Sequence, residues 1–255
     1  MFDDLGDRMK KNYEAVSKTR LVRRMPVIIR IDGCHFHTYT RGFKKPFDHY
    51  LMHAMQETMQ YLCENIQGCV FGYTQSDEIS LLLIDYKKLE SEAWFDNEVQ
   101  KICSVSASLA TAAFNKSIKN MALEVTGDAI FDSRCFNVPK EEVVNYFYWR
   151  QLDAMRNSVE MAGHANFSQK QLHKKSCNDI KEMLLAEKGI DFEKDFSLSE
   201  KRGTCCVTAD HFRSLNVSEV DHDFICKGNW YIDKMIPVFK GDGRDYVEKL
   251  VGITV

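Results

Sequence analysis

An α+β fold, an antiparallel sheet with helices on one face followed by a more helical C-terminal half, is predicted by two observations. Segments rich in β-branched and aromatic residues alternate with segments of helical periodicity in the order strand, helix, strand, strand, helix, strand. The central two strands are parted only by the polar stretch Gln75-Ser76-Asp77-Glu78, so they fold back on each other as a hairpin. This connectivity, βαββαβ, is the split βαβ or ferredoxin-like arrangement.

The elements follow in order. Residues 5 to 20 read as an amphipathic or partly exposed helix that closes before Pro26. Val27 to Ile31 is a β-rich run, left through Asp32-Gly33, where glycine permits a tight departure. A polar, aromatic loop spans Cys34 to Phe47. Asp48 then caps a helix whose apolar positions Leu51, Met52, Met55, Met59, Leu62, Cys63 and Ile66 recur at helical spacing, and Gly68 closes it. Cys69 to Thr74 and Ile79 to Asp85 form the hairpin. A helix from Trp94 to Lys116 carries the stripe Val99, Ile102, Cys103, Ser106, Leu109, Ala110 and Ala113, and Ala129 to Val138 is the fourth strand.

Pro139 opens a helix reaching Met161, with Val143, Val144, Phe147, Leu152, Met155 and Val159 as its apolar contacts. A shorter helix covers Ser176 to Glu187. Thr204 to Thr208 and Phe224 to Asp233 read as strands, the second interrupted at Gly228-Asn229. With only four prolines and no low-complexity linker, residues 1–138 form a core and residues 139–255 pack on it as one compact domain.

The 255 residues are 44% hydrophobic and 28% charged, as in an ordinary soluble domain. No run approaches the roughly 20 apolar residues of a membrane span. The acidic start, Met1-Phe2-Asp3-Asp4-Leu5, is unlike a secretory signal. Nine scattered cysteines without a C-x-x-C pair suit reduced thiols in the cytoplasm. The net charge of −3 leaves phosphate binding to local clusters. These are Arg20, Arg23 and Arg24; Lys44 and Lys45; Lys170, His173, Lys174 and Lys175; and Lys201 with Arg202.

Chemistry is expected where acids end buried strands, because a carboxylate beside a core needs a cation or a proton. Asp32 ends the first strand and Asp77 sits at the hairpin tip, on neighbouring strands of one sheet. Two such acids, with the Gly33 carbonyl, suit Mg²⁺, which binds through one or two carboxylates and substrate phosphates. A pair of Mg²⁺ ions there would serve an in-line displacement at phosphorus. Glu78 falls on the opposite face of its strand from Asp77 and takes a supporting role. Ser76 and the amides of residues 33 to 37 are placed to cradle phosphate oxygens, and Lys45 and Lys101 to neutralise a triphosphate. His35 and His37 share a side if the loop is extended, either contacting base or phosphate or packing structurally. Phe36 and Tyr39 are candidates to stack a nucleobase. No P-loop, Rossmann or G-x-S-x-G motif occurs.

Four stretches together resemble the tRNA-histidine guanylyltransferase superfamily. They are Arg30-Ile31-Asp32-Gly33-Cys34-His35-Phe36-His37, Lys45-Pro46-Phe47-Asp48, Tyr73-Thr74-Gln75-Ser76-Asp77-Glu78-Ile79-Ser80 and Trp149-Arg150-Gln151-Leu152-Asp153. The resemblance implies a fold like the palm of conventional polymerases and nucleotide addition in the reverse, 3′-to-5′ direction. It implies that a tRNA 5′-phosphate is activated with ATP or GTP, and that the 3′-hydroxyl of an incoming triphosphate then attacks the activated end. Catalysis would fall on Asp32, Asp77 and Glu78, and metal ligation on Asp32, Gly33 and Asp77. Nucleotide binding would fall on these with Cys34, His35, Phe36, His37, Lys45, Ser76 and Lys101. Arg30, Asn157, Lys174, Lys175 and Arg202 would meet tRNA or its phosphates. Family members are commonly tetramers.

The sequence departs from the family's pattern in two places. Members that add guanosine to tRNA-histidine carry His-Ile-Asn-Asn after the Trp-Arg-Gln segment, where this chain reads Met155-Arg156-Asn157-Ser158. Cys34 stands where many relatives have arginine. The pattern, with His164-Ala165-Asn166-Phe167-Ser168 downstream, resembles the guanylyltransferase-like branch that repairs 5′-truncated tRNA by Watson–Crick templating. Guanosine addition to tRNA-histidine, a palm-type transferase or cyclase on free triphosphates, and an RNA-binding module with a retired site are the alternatives.

Overall fold

The computed structural model describes residues 4–121, 125, 127–215, 224–227 and 229–252, with the backbone alone at 224–227. The strands are β1 (Val27–Gly33), β2 (Cys69–Gln75), β3 (Glu78–Leu83), β4 (Phe131–Asn137), β5 (Thr204–Thr208), β6 (Phe224–Lys227) and β7 (Trp230–Asp233). The helices are α1 (Asp4–Met9), α2 (Phe36–Tyr39), α3 (His49–Asn65), α4 (Val99–Asn120), α5 (Val143–Asn166), α6 (Gln169–Leu172), α7 (Cys177–Lys188), α8 (Phe192–Asp195), α9 (Leu198–Arg202), α10 (Ala209–Ser214) and α11 (Asp245–Glu248). Among these residues no helix is long and apolar enough to cross a membrane.

Alternation along β1 decides the layers. Ile29 and Ile31 point to the side covered by α3 and α4, packing with Met55, Met59, Leu62, Ile102, Ala110 and Phe114. Ile28 points to the other side, where Phe71, Leu82, Val143, Phe147, Phe239 and Val247 form a second core. Among the described residues the strands make a seven-stranded antiparallel sheet in the order β4-β1-β3-β2-β5-β7-β6. Its first four members have the expected βαββαβ order, with α3 and α4 on one face. The C-terminal half adds strands to the β2 edge and lays α5 over the other face, so one sheet runs through both parts of the chain.

The Asp48 cap is as expected: its carboxylate accepts from the amides of Tyr50 at 2.9 Å and Leu51 at 3.0 Å. It also accepts from the Lys44 amide at 2.9 Å, which fastens the preceding loop to the helix. The stretch 34–47 departs from the expected loop. It contains α2 and a 3₁₀ turn at Thr40–Gly42, because Phe36 and Tyr39, three positions apart, both pack on Phe114. The fourth helix starts at Val99 rather than Trp94. Phe95, Asp96 and Asn97 all have positive φ and break the turn. Asp96 there holds Arg20 at 2.8 Å and also pairs with Arg23, so two cations of the first basic cluster are spoken for. Leu152, expected among the contacts of α5, is exposed.

Candidate active site

Three pieces of chain meet at one end of the sheet. Asp32 lies opposite Glu78 of β3 and Asp132 of β4. The hairpin tip turns through Ser76 at φ +50°, and the Gly33 amide donates to the Asp77 carbonyl at 3.1 Å, which docks the tip on the end of β1. Gly33 is required there, since a Cβ would stand 2.2 Å from the Phe36 ring.

The acids differ in environment. Burial pushes the Asp77 carboxyl above the usual carboxylate range, and the negative charge of Asp32 adds to the push. The Ser76 hydroxyl, donating to Asp77 at 3.0 Å, and the charge of Arg30 oppose it. Glu78 is buried and fully engaged. Arg150 donates to both of its oxygens at 2.8 Å, and Arg30 approaches one at 2.7 Å. Burial still raises its pKa against the pull of Arg150, which grips both carboxylate oxygens in a two-pronged guanidinium contact.

Beside the docked tip lies a cleft of about 490 Å³. Its walls are Gly33, His35, Phe36 and His37; Lys44, Lys45 and Pro46; Gln75, Ser76 and Asp77; Ala154, Asn157, Ser158 and Met161 of α5; and Ser199, Glu200 and Gly203. Phe43, Phe47, Leu51 and Met52 supply an apolar side. Apolar walls with a few converging polar groups and two lysines suit a nucleoside triphosphate.

Residues 6–139 match the family described as tRNAHis guanylyltransferase. The chain belongs to this family. Two solved structures of bacterial tRNA(His) guanylyltransferase-like proteins are similar over nearly the whole length. One, in complex with ATP, is 43% identical with a TM-score of 0.85, covering 97% of this chain and 99% of that chain. The other, in complex with GTP, is 40% identical with a TM-score of 0.76 and the same coverage. Among curated proteins, the tRNA(His) guanylyltransferase of Schizosaccharomyces pombe is 29% identical over 153 residues, 58% of this chain and 56% of that protein. For tRNA(His) guanylyltransferase 2 of Arabidopsis thaliana the values are 28% identity, 55% of this chain and 26% of that protein. The chain thus spans less than two-thirds of these curated relatives.

Of the residues that the tRNAHis guanylyltransferase resemblance implied, the cleft gathers Gly33, His35, Phe36, His37, Lys45, Ser76, Asp77 and Asn157. Others lie elsewhere. Lys101 is at the start of α4, over the Phe95 ring at 4.9 Å. It stands outside the cleft lining, little more than one turn before Ser106, which meets Ser133 of β4 at 2.7 Å. The Arg202 guanidinium turns to the Ile236 carbonyl, and its neighbour Lys201 is buried on the Glu193 carbonyl. Arg30 is engaged with Glu78 and lies 3.5 Å from Asp32. Lys174 and Lys175 are exposed, outside the cleft lining. The Cys34 thiol faces Asp132 at 3.8 Å, and burial and that charge push its pKa up.

Two expected roles are corrected. The Phe36 ring is buried among Tyr39, Phe114 and Phe131, and Tyr39 packs there too, so neither is open to stack a base. Glu78, counted among the catalytic acids, has its oxygens occupied by two arginines and braces the hairpin instead. His35 and His37 are both exposed, with ring centroids 6.5 Å apart, in a helical rather than an extended segment.

Sequence reasoning missed Arg150, whose signal was a basic residue on the buried face of α5. It missed Ala154, Met161, Ser199, Glu200 and Gly203, which reach the cleft from far along the chain. Glycine is required at position 203: at φ +80°, a Cβ would meet the Thr74 carbonyl at 2.5 Å. Among the described residues no three or more His, Cys, Asp or Glu side chains gather to hold a metal. Mg²⁺ does not need them, because one or two carboxylates plus substrate phosphates suffice. Asp77, its carboxyl pushed up by burial and further by the charge of Asp32, is a donor that a hard cation would relieve.

Proposed function

We propose that this protein adds nucleotides in the 3′-to-5′ direction to the 5′ end of tRNA, directed by the opposing template base. The observation that carries the reading is the docking of the hairpin tip on β1. It puts Asp32 and Asp77 in one electrostatic field beside a cleft containing Lys44 and Lys45. The similarity to bacterial structures holding ATP and GTP supports a triphosphate in that cleft.

In the first step an oxygen of the RNA 5′-phosphate attacks the α-phosphorus of ATP or GTP, and pyrophosphate leaves. In the second, the 3′-hydroxyl of an incoming triphosphate loses its proton and attacks the RNA 5′-phosphorus, and the activating nucleotide leaves as its monophosphate. Lys44 and Lys45 hold the triphosphate as point charges. Gln75, Asn157 and Ser158 offer hydrogen bonds along the cleft wall, while the apolar side excludes water. Asp32, Asp77 and the Gly33 carbonyl would hold Mg²⁺, two ions in this reading, which neutralises phosphate charge and lowers the pKa of the attacking hydroxyl. Arg150 and Arg30 act through Glu78, keeping the hairpin and its Asp77 in place.

Templating is favoured over a fixed guanosine because Met155 stands where guanosine-adding members carry histidine. A thioether donates no hydrogen bond by which one base could be selected. A cytoplasmic homotetramer is part of the same reading. The test is extension of a tRNA lacking its first nucleotide, with the opposing base varied through all four. Addition should follow Watson–Crick complementarity. Guanosine addition whatever the template would favour the tRNA-histidine activity, and triphosphate turnover without RNA would favour a cyclase or free-nucleotide transferase.

A further inference from the structure

The later turns of α5, Ala154 to Met161, wall the cleft, and its earlier turns cross the face of β1 and β3 that carries Arg30, Asp32, Glu78 and Ser80. Tyr146 of α5 meets Ser80 there at 2.9 Å, and Arg150 grips Glu78. Next to them Trp149 is 53% exposed, a large apolar ring left in solvent beside a buried ionic network. Among the described tryptophans, Trp94 is buried and Trp230 partly buried. The Arg150 guanidinium lies 4.4 Å from the Trp149 ring and the Tyr146 ring 5.9 Å from it at 65°.

Because Arg150 is itself fixed by Glu78 and Asp153, the indole is braced from beneath and loses little freedom on meeting a ligand. The contact chain from the indole to the catalytic end is short: Trp149 to Arg150, Arg150 to Glu78, and Glu78 opposite Asp32 in register. The surrounding cations are already satisfied, Arg134 by Asp132 at 2.9 Å and Arg156 by Asp153. A face whose charges are paired attracts a phosphate backbone weakly. A rigid exposed aromatic instead suits the flat face of a base, which stacks whatever its identity.

We propose that Trp149 is the stacking platform for a terminal base of the RNA substrate, holding the 5′ end near Asp32 from the earlier turns of the helix whose later turns wall the nucleotide cleft. This rests on the proposed RNA extension for its meaning, but its first readout is binding and needs no turnover. Intrinsic fluorescence of the full-length protein is titrated with 5′-truncated tRNA, and separately with GTP, in the wild type, Trp149→Phe and Trp149→Ala. RNA should quench a component present in the wild type and absent from both variants, and GTP should leave that component unchanged.

In steady-state extension, Trp149→Ala should raise KM for the truncated tRNA by roughly 5- to 100-fold. Trp149→Phe should recover most of that, with KM for the triphosphate unchanged. The slope of log affinity against log salt should stay as in the wild type, since no phosphate contact is lost. The proposal is overturned if the wild-type quench is absent, or if Trp149→Ala binds RNA as the wild type does. A change in sedimentation of Trp149→Ala would overturn it too, by making the indole a subunit contact. Quenching without extension of any RNA would instead count against the function proposed above.

Discussion

Asp77 binds a proton more readily than a free carboxylate because it is desolvated and shares its space with Asp32. A group whose folded pKa lies above its unfolded value contributes stability below the unfolded value, and that contribution is lost as pH rises through the folded one. At neutral pH, ionised Asp77 therefore costs the metal-free fold something. Asp77→Asn removes that cost and keeps an oxygen to accept from Ser76. Its calorimetric Tm in EDTA at pH 7.5 should exceed the wild type's, by about 2–4 °C for each kcal/mol relieved, while nucleotide addition falls at least ~10²-fold. A lower Tm would mean that the carboxylate is stabilised by the protein alone.

The cap of α3 shows how an element serves the site. Asp48 closes the helix N-terminus and also ties down the Lys44 amide, so one side chain sets both the helix and the lysine loop. Asp48→Ala should lower stability by about 0.5–2 kcal/mol and raise KM for the triphosphate with kcat largely retained. Urea melts and steady-state kinetics check this; an unchanged KM would separate the loop from nucleotide binding. The cap was legible because Asp48 directly precedes a long apolar stripe. The helical turn at Phe36–Tyr39 was not, because it is too short to show a period and its partners Phe114 and Phe131 come much later in the chain. The place of Lys101 outside the cleft lining was not legible for a related reason: periodicity gives the helix but not which of its turns faces the cleft. The walls from α5 and α9 depend on how the C-terminal half folds back, and no local pattern encodes that.

At the scale of the molecule, a chain of net charge −3 binds RNA through whichever cations are left exposed. Two basic residues near the N-terminus are paired with Asp96 and Lys201 is buried, whereas Lys170, Lys174 and Lys175 form one of the exposed basic stretches. Replacing Lys174 and Lys175 with alanine should weaken tRNA binding and flatten its salt dependence by about one log unit per lysine that contacts a phosphate. Filter binding across a salt series reads this directly, and an unaltered slope would remove that surface from the RNA path. The continuous sheet matters at this scale as well. Pairing of β5 with β2 and cover from α5 hold the hairpin whose tip carries Asp77, so the C-terminal half builds the site as much as the first half does. The most direct measurement is a double-mutant cycle in single-turnover extension of 5′-truncated tRNA with Asp32→Asn, Asp77→Asn and the double variant. If the two carboxylates grip the same cations, the double variant is about as slow as the worse single one. Losses that multiply, each acid acting without regard to the other, would contradict the account.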